Sequence, residues 1–350
     1  MPLHALYGHE AVRSRLANAV AAGRLPQSLL IEGPQGVGKQ RLALWLAQLL
    51  LCEGESRDEP CGSCRGCRLV LNLSHPDLAW YIPLEPGRKS GDAEKQVDQV
   101  EEAIAEEMAV RREQPLYEAL PGTATHSIAT VRLLLRKLSL TPALGGWRVV
   151  IIGAAERLIP QQANPDAANA LLKVLEEPPT KTVIILTASE PDALLRTIVS
   201  RVVRVRLSML SDSVVTSFAQ KELLQHKKAP AIASNVSQAS GSIGRLLAPQ
   251  GGANEPAAAS FLAATRQDAV ARYSQALRQT PYQARGGFTA MLDALLQRLR
   301  EETQAGGDTE KLVEAIARVT DARLAAQGNV NPQLLAAVLA DELAPDGGEG

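Results

Sequence analysis

Leu29-Leu30-Ile31 is a short apolar run of strand type, and one residue later comes Gly33-Pro34-Gln35-Gly36-Val37-Gly38-Lys39-Gln40, followed by RLALWLAQLL with apolar residues at helical spacing. Strand, glycine-rich loop and helix in this order place G-x-x-x-x-G-K where it can cradle phosphate. The glycines free backbone N–H groups to surround an anion at a helix N-terminus, and the lysine adds a charge. A chain built this way is committed to an α/β fold with a parallel sheet. Gly33, Gly36, Gly38 and Lys39 keep the phosphate half of the motif, whereas Gln40 stands where a Ser or Thr hydroxyl would hold magnesium. The alternative reading is a loop retained for its shape alone.

Hydrolysis of a nucleotide also needs carboxylates at the tip of a neighbouring strand, one for magnesium and one to polarise water. The candidate strand is Arg148–Ile152, and the next residues are Gly153, Ala154 and Ala155. Glu156 falls in the following turn, too late for the strand tip. Gln40 and Gly153 therefore both weaken the metal site, and hydrolysis by this chain alone is not expected.

All four cysteines, Cys52, Cys61, Cys64 and Cys67, form C-x8-C-x2-C-x2-C. The first residues, MPLHALYGHE, carry neither a basic start nor an apolar stretch, so a cytoplasmic, reducing setting is expected and disulfides are not. Four thiolates on a tight loop make the tetrahedral shell of structural zinc, with no open position for catalysis. Zinc-dependent reading of nucleic acid is a rival, but no basic recognition helix follows. With 37 Lys+Arg against 38 Asp+Glu, the chain has no bulk field for nucleic acid or an anionic membrane. No apolar run is long enough to span a bilayer. At 350 residues, two or three domains are expected.

Further along, AANALLKVLEEPP reads as a helix stopped by Pro178 and Pro179, Val183–Thr187 as a buried parallel strand, Pro191–Val199 as a helix, and Val202–Leu207 as a strand with alternating arginines. DAEKQVDQVEEAIAEEMAVRRE, with Val97, Val100, Ile104 and Met108 at helical spacing, reads as a solvated amphipathic helix or a partner surface. His9, His75, His126 and His226 share no spacing and receive no catalytic role.

The stretches GPQGVGK, C-x8-C-x2-C-x2-C, IATVRLLLRKLSLTP, AANALLKVLEEPP, ILTAS, TIVSRVVRVRL and GNVNPQLLAAVLADEL, in that order, resemble the delta-prime family of bacterial DNA polymerase III clamp-loader subunits, which are AAA+ proteins. The resemblance implies an AAA+ P-loop domain over 1–207 with a zinc insertion at 52–67, a small helical lid over 208–247 and an all-helical collar over 255–343. It implies motor subunits (gamma/tau) and a delta subunit as partners in a five-membered ring that places a sliding clamp on primed DNA. Nucleotide binding would be weak and metal-poor. Thr187 and Arg245 become candidate nucleotide sensors, although Arg245 lies one place later than in motor subunits. Ser200 and Arg201 fall where the family presents an arginine finger to the adjacent protomer, with Val202 replacing the usual cysteine. The alternative for Arg201 is a solvated helix-end arginine, and Arg196, Arg204 and Arg206 would extend either into a basic patch. The function implied is a non-hydrolysing stator. An active motor-type ATPase and a free-standing zinc and nucleic-acid module are the rivals.

Overall fold

In a computed structural model the chain is described over residues 3–55, 58–85, 92–114, 124–144, 146–158, 166–223, 236–247, 255–279, 287–304, 308–326 and 330–344. His226, the loop 248–254 and the tail 345–350 lie outside the described residues. The described residues fall into two compact units, one running up to Leu247 and one beginning at Glu255.

The first unit is built on five parallel strands, β1 (Ser28–Glu32), β2 (Leu78–Tyr81), β3 (Arg148–Ile152), β4 (Thr182–Ala188) and β5 (Val203–Arg206), in the spatial order β2-β3-β4-β1-β5. β1, β3 and β4 are buried at every position, as strands covered on both faces must be. Alternation divides their side chains between two layers. Leu30, Val150, Ile152, Ile184 and Leu186 join one core cluster with α5 (Ile128–Leu138), α6 (Asp166–Glu176) and Val97 of α4 (Ala93–Glu113). Against the sheet also packs α2 (Lys39–Leu50), in which Leu42, Leu46 and Leu49 are fully buried. Each such leucine contributes roughly 1.5–3 kcal/mol through burial alone. Parallel pairing runs Leu30↔Leu186 on one side of β1 and Leu29↔Val203 on the other. All the strands therefore end at one edge, which is where the P-loop emerges.

The α/β reading holds, with a parallel sheet from which the P-loop leaves. The helix expected over Pro191–Val199 is broken instead: a 3-10 turn at Pro191–Ala193 is separated from α7 (Arg196–Val199) by extended Leu194. Leu194 turns inward and is buried, and that burial outweighs helix continuity. The acidic segment is helical as expected, with Val97 and Met108 buried and Val100 and Ile104 partly so. Arg111 of the same helix is also buried, its guanidinium 4.6 Å from the centre of the Trp80 ring and 2.9 Å from Glu107.

Toward its end the first unit carries α8 (Asp212–Phe218) and short helices at Val236–Ala239 and Ile243–Leu247. These gather around Leu210, Val215, Phe218 and Leu246, with Tyr7 edge-on to Phe218. The second unit is helical in its described residues: 255–265, 269–277, 289–304, 309–325 and 332–342. Phe261, Leu292, Leu295, Val319 and Leu339 fill its core. Asp268 and Asn331 cap two of these helices through their side chains.

Candidate functional site

The P-loop takes its shape from glycines in the left-handed region, with φ of 78° at Gly36 and 100° at Gly38, the latter serving as N-cap of α2. Lys39, at the first position of that helix, folds back so that Nζ donates to the Gly33 and Pro34 carbonyls at 2.8 and 2.7 Å. Burial pulls its pKa down to about 8, a shift that the nearby Glu156 carboxylate opposes. Glu156 lies in the 3-10 turn after β3, off the strand tip as expected, and accepts a hydrogen bond from Ser189 N. Burial raises its pKa.

The metal half of the site is filled by protein. The Gln40 amide lies over Gly153, where a Cβ would approach Gln40 Nε2 to 2.8 Å and Trp80 Nε1 to 3.4 Å. Among the described residues no carboxylate follows β3 directly, since the chain continues Gly153-Ala154-Ala155. Gly153 instead receives a hydrogen bond from buried His126, whose Nε2 donates to its carbonyl at 2.7 Å. Thr187, buried at the end of β4, accepts from Ala154 N at 3.1 Å, so its hydroxyl joins two strand ends.

The loop is closed from the other side by Gly241-Ser242-Ile243-Gly244. Ser242 Oγ donates to Gln35 O and Gly244 N to Gly36 O, both at 3.0 Å. A Cβ on Gly244 would lie 2.5 Å from Gly36 Cα, so two backbones touch where side chains would not fit. Arg245 follows in the short helix, its own N–H donating to Ser242 Oγ. Sequence reasoning singled out Arg245 and passed over Gly244. The repeated small residues of GSIG were the available signal.

The cysteines converge. Their four Sγ atoms lie within 4.8 Å of one another, and the Cys61–Cys67 and Cys52–Cys64 separations are 3.9 and 4.0 Å. A tetrahedron with metal–sulfur bonds of about 2.3 Å has edges of roughly 3.8 Å, so the donor set suits zinc. Backbone N–H groups of Gly54 and Cys61 point at Cys52 Sγ, that of Cys64 at Cys61 Sγ and that of Cys67 at Cys64 Sγ. Glu59, between the first two cysteines, ties the module to the body through Trp45 Nε1 and Arg13.

Ser200 and Arg201 are not part of this assembly. β5 pairs with β1 in the register Leu29↔Val203, which sets Arg201 beside the start of β1, while the P-loop leaves its far end. Four residues of strand rise separate the two edges by about 13 Å. Arg201 is held by Thr197 O at 2.9 Å, Ser200 Oγ at 3.4 Å and Glu176 at 2.7 Å. The basic patch expected around it is smaller than the sequence suggests. Arg204 and Arg206 each place Nε on a different oxygen of buried Glu32, at 2.8 and 2.7 Å, and the two arginines lower the Glu32 pKa against the opposing effect of burial.

Residues 8–211 match the family model described as DNA polymerase III, delta subunit. The chain belongs to that family. It is 37% identical over 175 residues to DNA polymerase III subunit delta' of Pseudomonas aeruginosa, an alignment covering 50% of this chain and 41% of that one. The delta' subunit of Escherichia coli is 33% identical over 187 residues, 53% of this chain and 44% of that one. Subunit tau of Salmonella typhimurium is 30% identical over 203 residues, 58% of this chain and 25% of that one. The match thus spans less than half the length of each of these relatives. Among the described residues no helix is long and apolar enough to cross a membrane.

Proposed function

We propose that this chain is a non-hydrolysing stator of a DNA polymerase III clamp loader. It would join gamma/tau motor subunits and a delta subunit in a five-membered ring that opens a sliding clamp and places it on primed DNA in the cytoplasm. Residues 1–207 would form the P-loop domain, 208–247 the lid and 255–343 the collar. The observation that carries the reading is Gln40 lying against Gly153: the place of the metal and its carboxylate is occupied by an amide and a bare backbone. Zinc held by Cys52, Cys61, Cys64 and Cys67 would fasten the insertion and take no part in chemistry.

Arg201 supports a role in trans, because it lies at the sheet edge opposite the chain's own P-loop and so is placed to serve another subunit's phosphate. The collar reading draws on Val270, Tyr273 and Leu277 along one helix and Leu334 and Val338 along another, all exposed on helices joined by Arg272–Asp341 and Tyr273–Asp341 contacts. A face of this kind is suited to burial against a neighbour.

Purified chain is expected to bind nucleotide weakly, with little dependence on magnesium, and to show no ATP turnover. Turnover lost on Lys39→Ala would make the chain a motor and end the stator reading. In an assembled ring, Arg201→Ala should leave the complex intact and lower turnover at one site by about 10³ or more, the usual worth of an arginine finger.

A further inference from the structure

Arg201 is the end of a longer chain of contacts. Glu176 is the last residue of α6, and the helix end is fixed to the sheet: Ser28 Oγ donates to Leu175 O at 3.0 Å, and Gln27 Nε2 donates to Pro179 O at 3.2 Å. Leu175 is buried in the core. Glu176 therefore sits on a rigid post at the edge of the sheet, with its carboxylate half exposed. From there Oε1 accepts from Arg201 Nη2 at 2.7 Å, while Nη1 donates to Thr197 O and Ser200 Oγ. Arg201 Nε is buried with no hydrogen-bond partner. Of the five N–H groups of the guanidinium, three are engaged within the chain, and its charge is matched by a carboxylate.

A finger in that state cannot serve a neighbour at full strength. A phosphate across the interface must displace Glu176 to recover the charge and the N–H groups. It can do so because it carries more than one negative charge, and because a half-exposed ion pair is worth little. We propose that Glu176 is a positioning residue for Arg201, a carboxylate latch that holds the guanidinium in cis until a neighbouring subunit's nucleotide phosphate takes it. The proposal rests on the reading of Arg201 as a trans-acting finger. It makes the finger a competed group: at low nucleotide occupancy it is parked, and phosphate binding next door releases it.

Two measurements on Glu176→Gln test the latch. In the isolated chain, phenylglyoxal modification of Arg201, read by peptide mass, should run several-fold faster in the variant. In a ring assembled with the motor subunits, the ATP concentration for half-maximal turnover should fall by up to about fivefold with the maximal rate unchanged, the range open to an exposed ion pair. A carboxylate that merely props the helix end would move neither the modification rate nor the half-maximal concentration. Modification unaffected by Glu176→Gln, or a fall in maximal rate, overturns the latch. Arg201→Ala assayed alongside separates the two readings. If it silences one site while Glu176→Gln changes nothing, the finger stands and the latch falls; if it leaves turnover untouched, the finger falls and the latch with it.

Discussion

Adding a single methyl at Gly153 probes the filled metal position directly. The backbone tolerates it, since Gly153 is not among the residues with positive φ, and Gly→Ala by itself stabilises by about 0.4–1 kcal/mol through the unfolded chain. The new Cβ would meet Gln40 Nε2 at 2.8 Å and Gln40 Cδ at 3.2 Å, closer than packed atoms allow. Overpacking of this kind costs about 1–3 kcal/mol. The Gln40 amide is the mobile end of a side chain, so the lower half of that range applies, and the net loss for Gly153→Ala should be about 1 kcal/mol. In a Gln40→Ala background the obstruction is gone, and the same methyl should become neutral or mildly stabilising. The cycle thus predicts a coupling of about 1–2 kcal/mol between the two positions. All three tryptophans, Trp45, Trp80 and Trp147, lie in the first unit, so urea unfolding followed by tryptophan fluorescence reports on that unit. Additivity within about 0.5 kcal/mol would show that the Gln40 side chain does not occupy the space over Gly153, and the account of the metal site would fail.

His126 gives a pH prediction. Its Nε2 donates to Gly153 O, so Nδ1 is bare, buried and without a hydrogen-bond partner, and burial lowers the pKa to about 4. A depressed histidine keeps its full stability above the unfolded value near 6.5 and loses it as pH falls toward 4. The loss should reach about 2 kcal/mol at pH 5, measured as the difference between wild type and His126→Gln in urea unfolding, and a flat difference from pH 7 to 5 would contradict it. Protein purified without chelator should carry close to one zinc per chain; stripping it should expose four reactive thiols and shift the emission of Trp45, which is tied to the cysteine module through Glu59. Four thiols already reactive before chelation, with no zinc by elemental analysis, would count against the site.

Much of the first unit is legible in the sequence because its signals are local. The buried strands β1, β3 and β4 appear as apolar runs, the P-loop as a spacing of glycines, and the four-sulfur cluster as a spacing of cysteines. β2 went unread although Leu78-Ala79-Trp80-Tyr81-Ile82 is an apolar run between Pro76 and Pro83, which is a strand signal of its own. What the sequence hides are pairings set by topology. Nothing within Val203–Arg206 says that both arginines meet Glu32, 172 and 174 residues away, because that contact exists only once β5 has crossed to the outer side of β1. The same holds for Glu176 and Arg201, read separately as a helix end and a finger. Spacing alone does not mark Arg111 or His126 as buried; both are, because a cation can stack on Trp80 and a ring N–H can find a strand-end carbonyl.

The touching backbones of Gly36 and Gly244 turn one amide proton into a reporter. Gly244 N–H points at Gly36 O, and the approach is so close that residues 241–247 have no route away from the loop that leaves this hydrogen bond unbroken. The exchange rate of that proton with deuterated solvent is then a clock for every departure of the segment from the phosphate loop. A single peptide containing Gly244 would read, without nucleotide or partner, how often the two come apart.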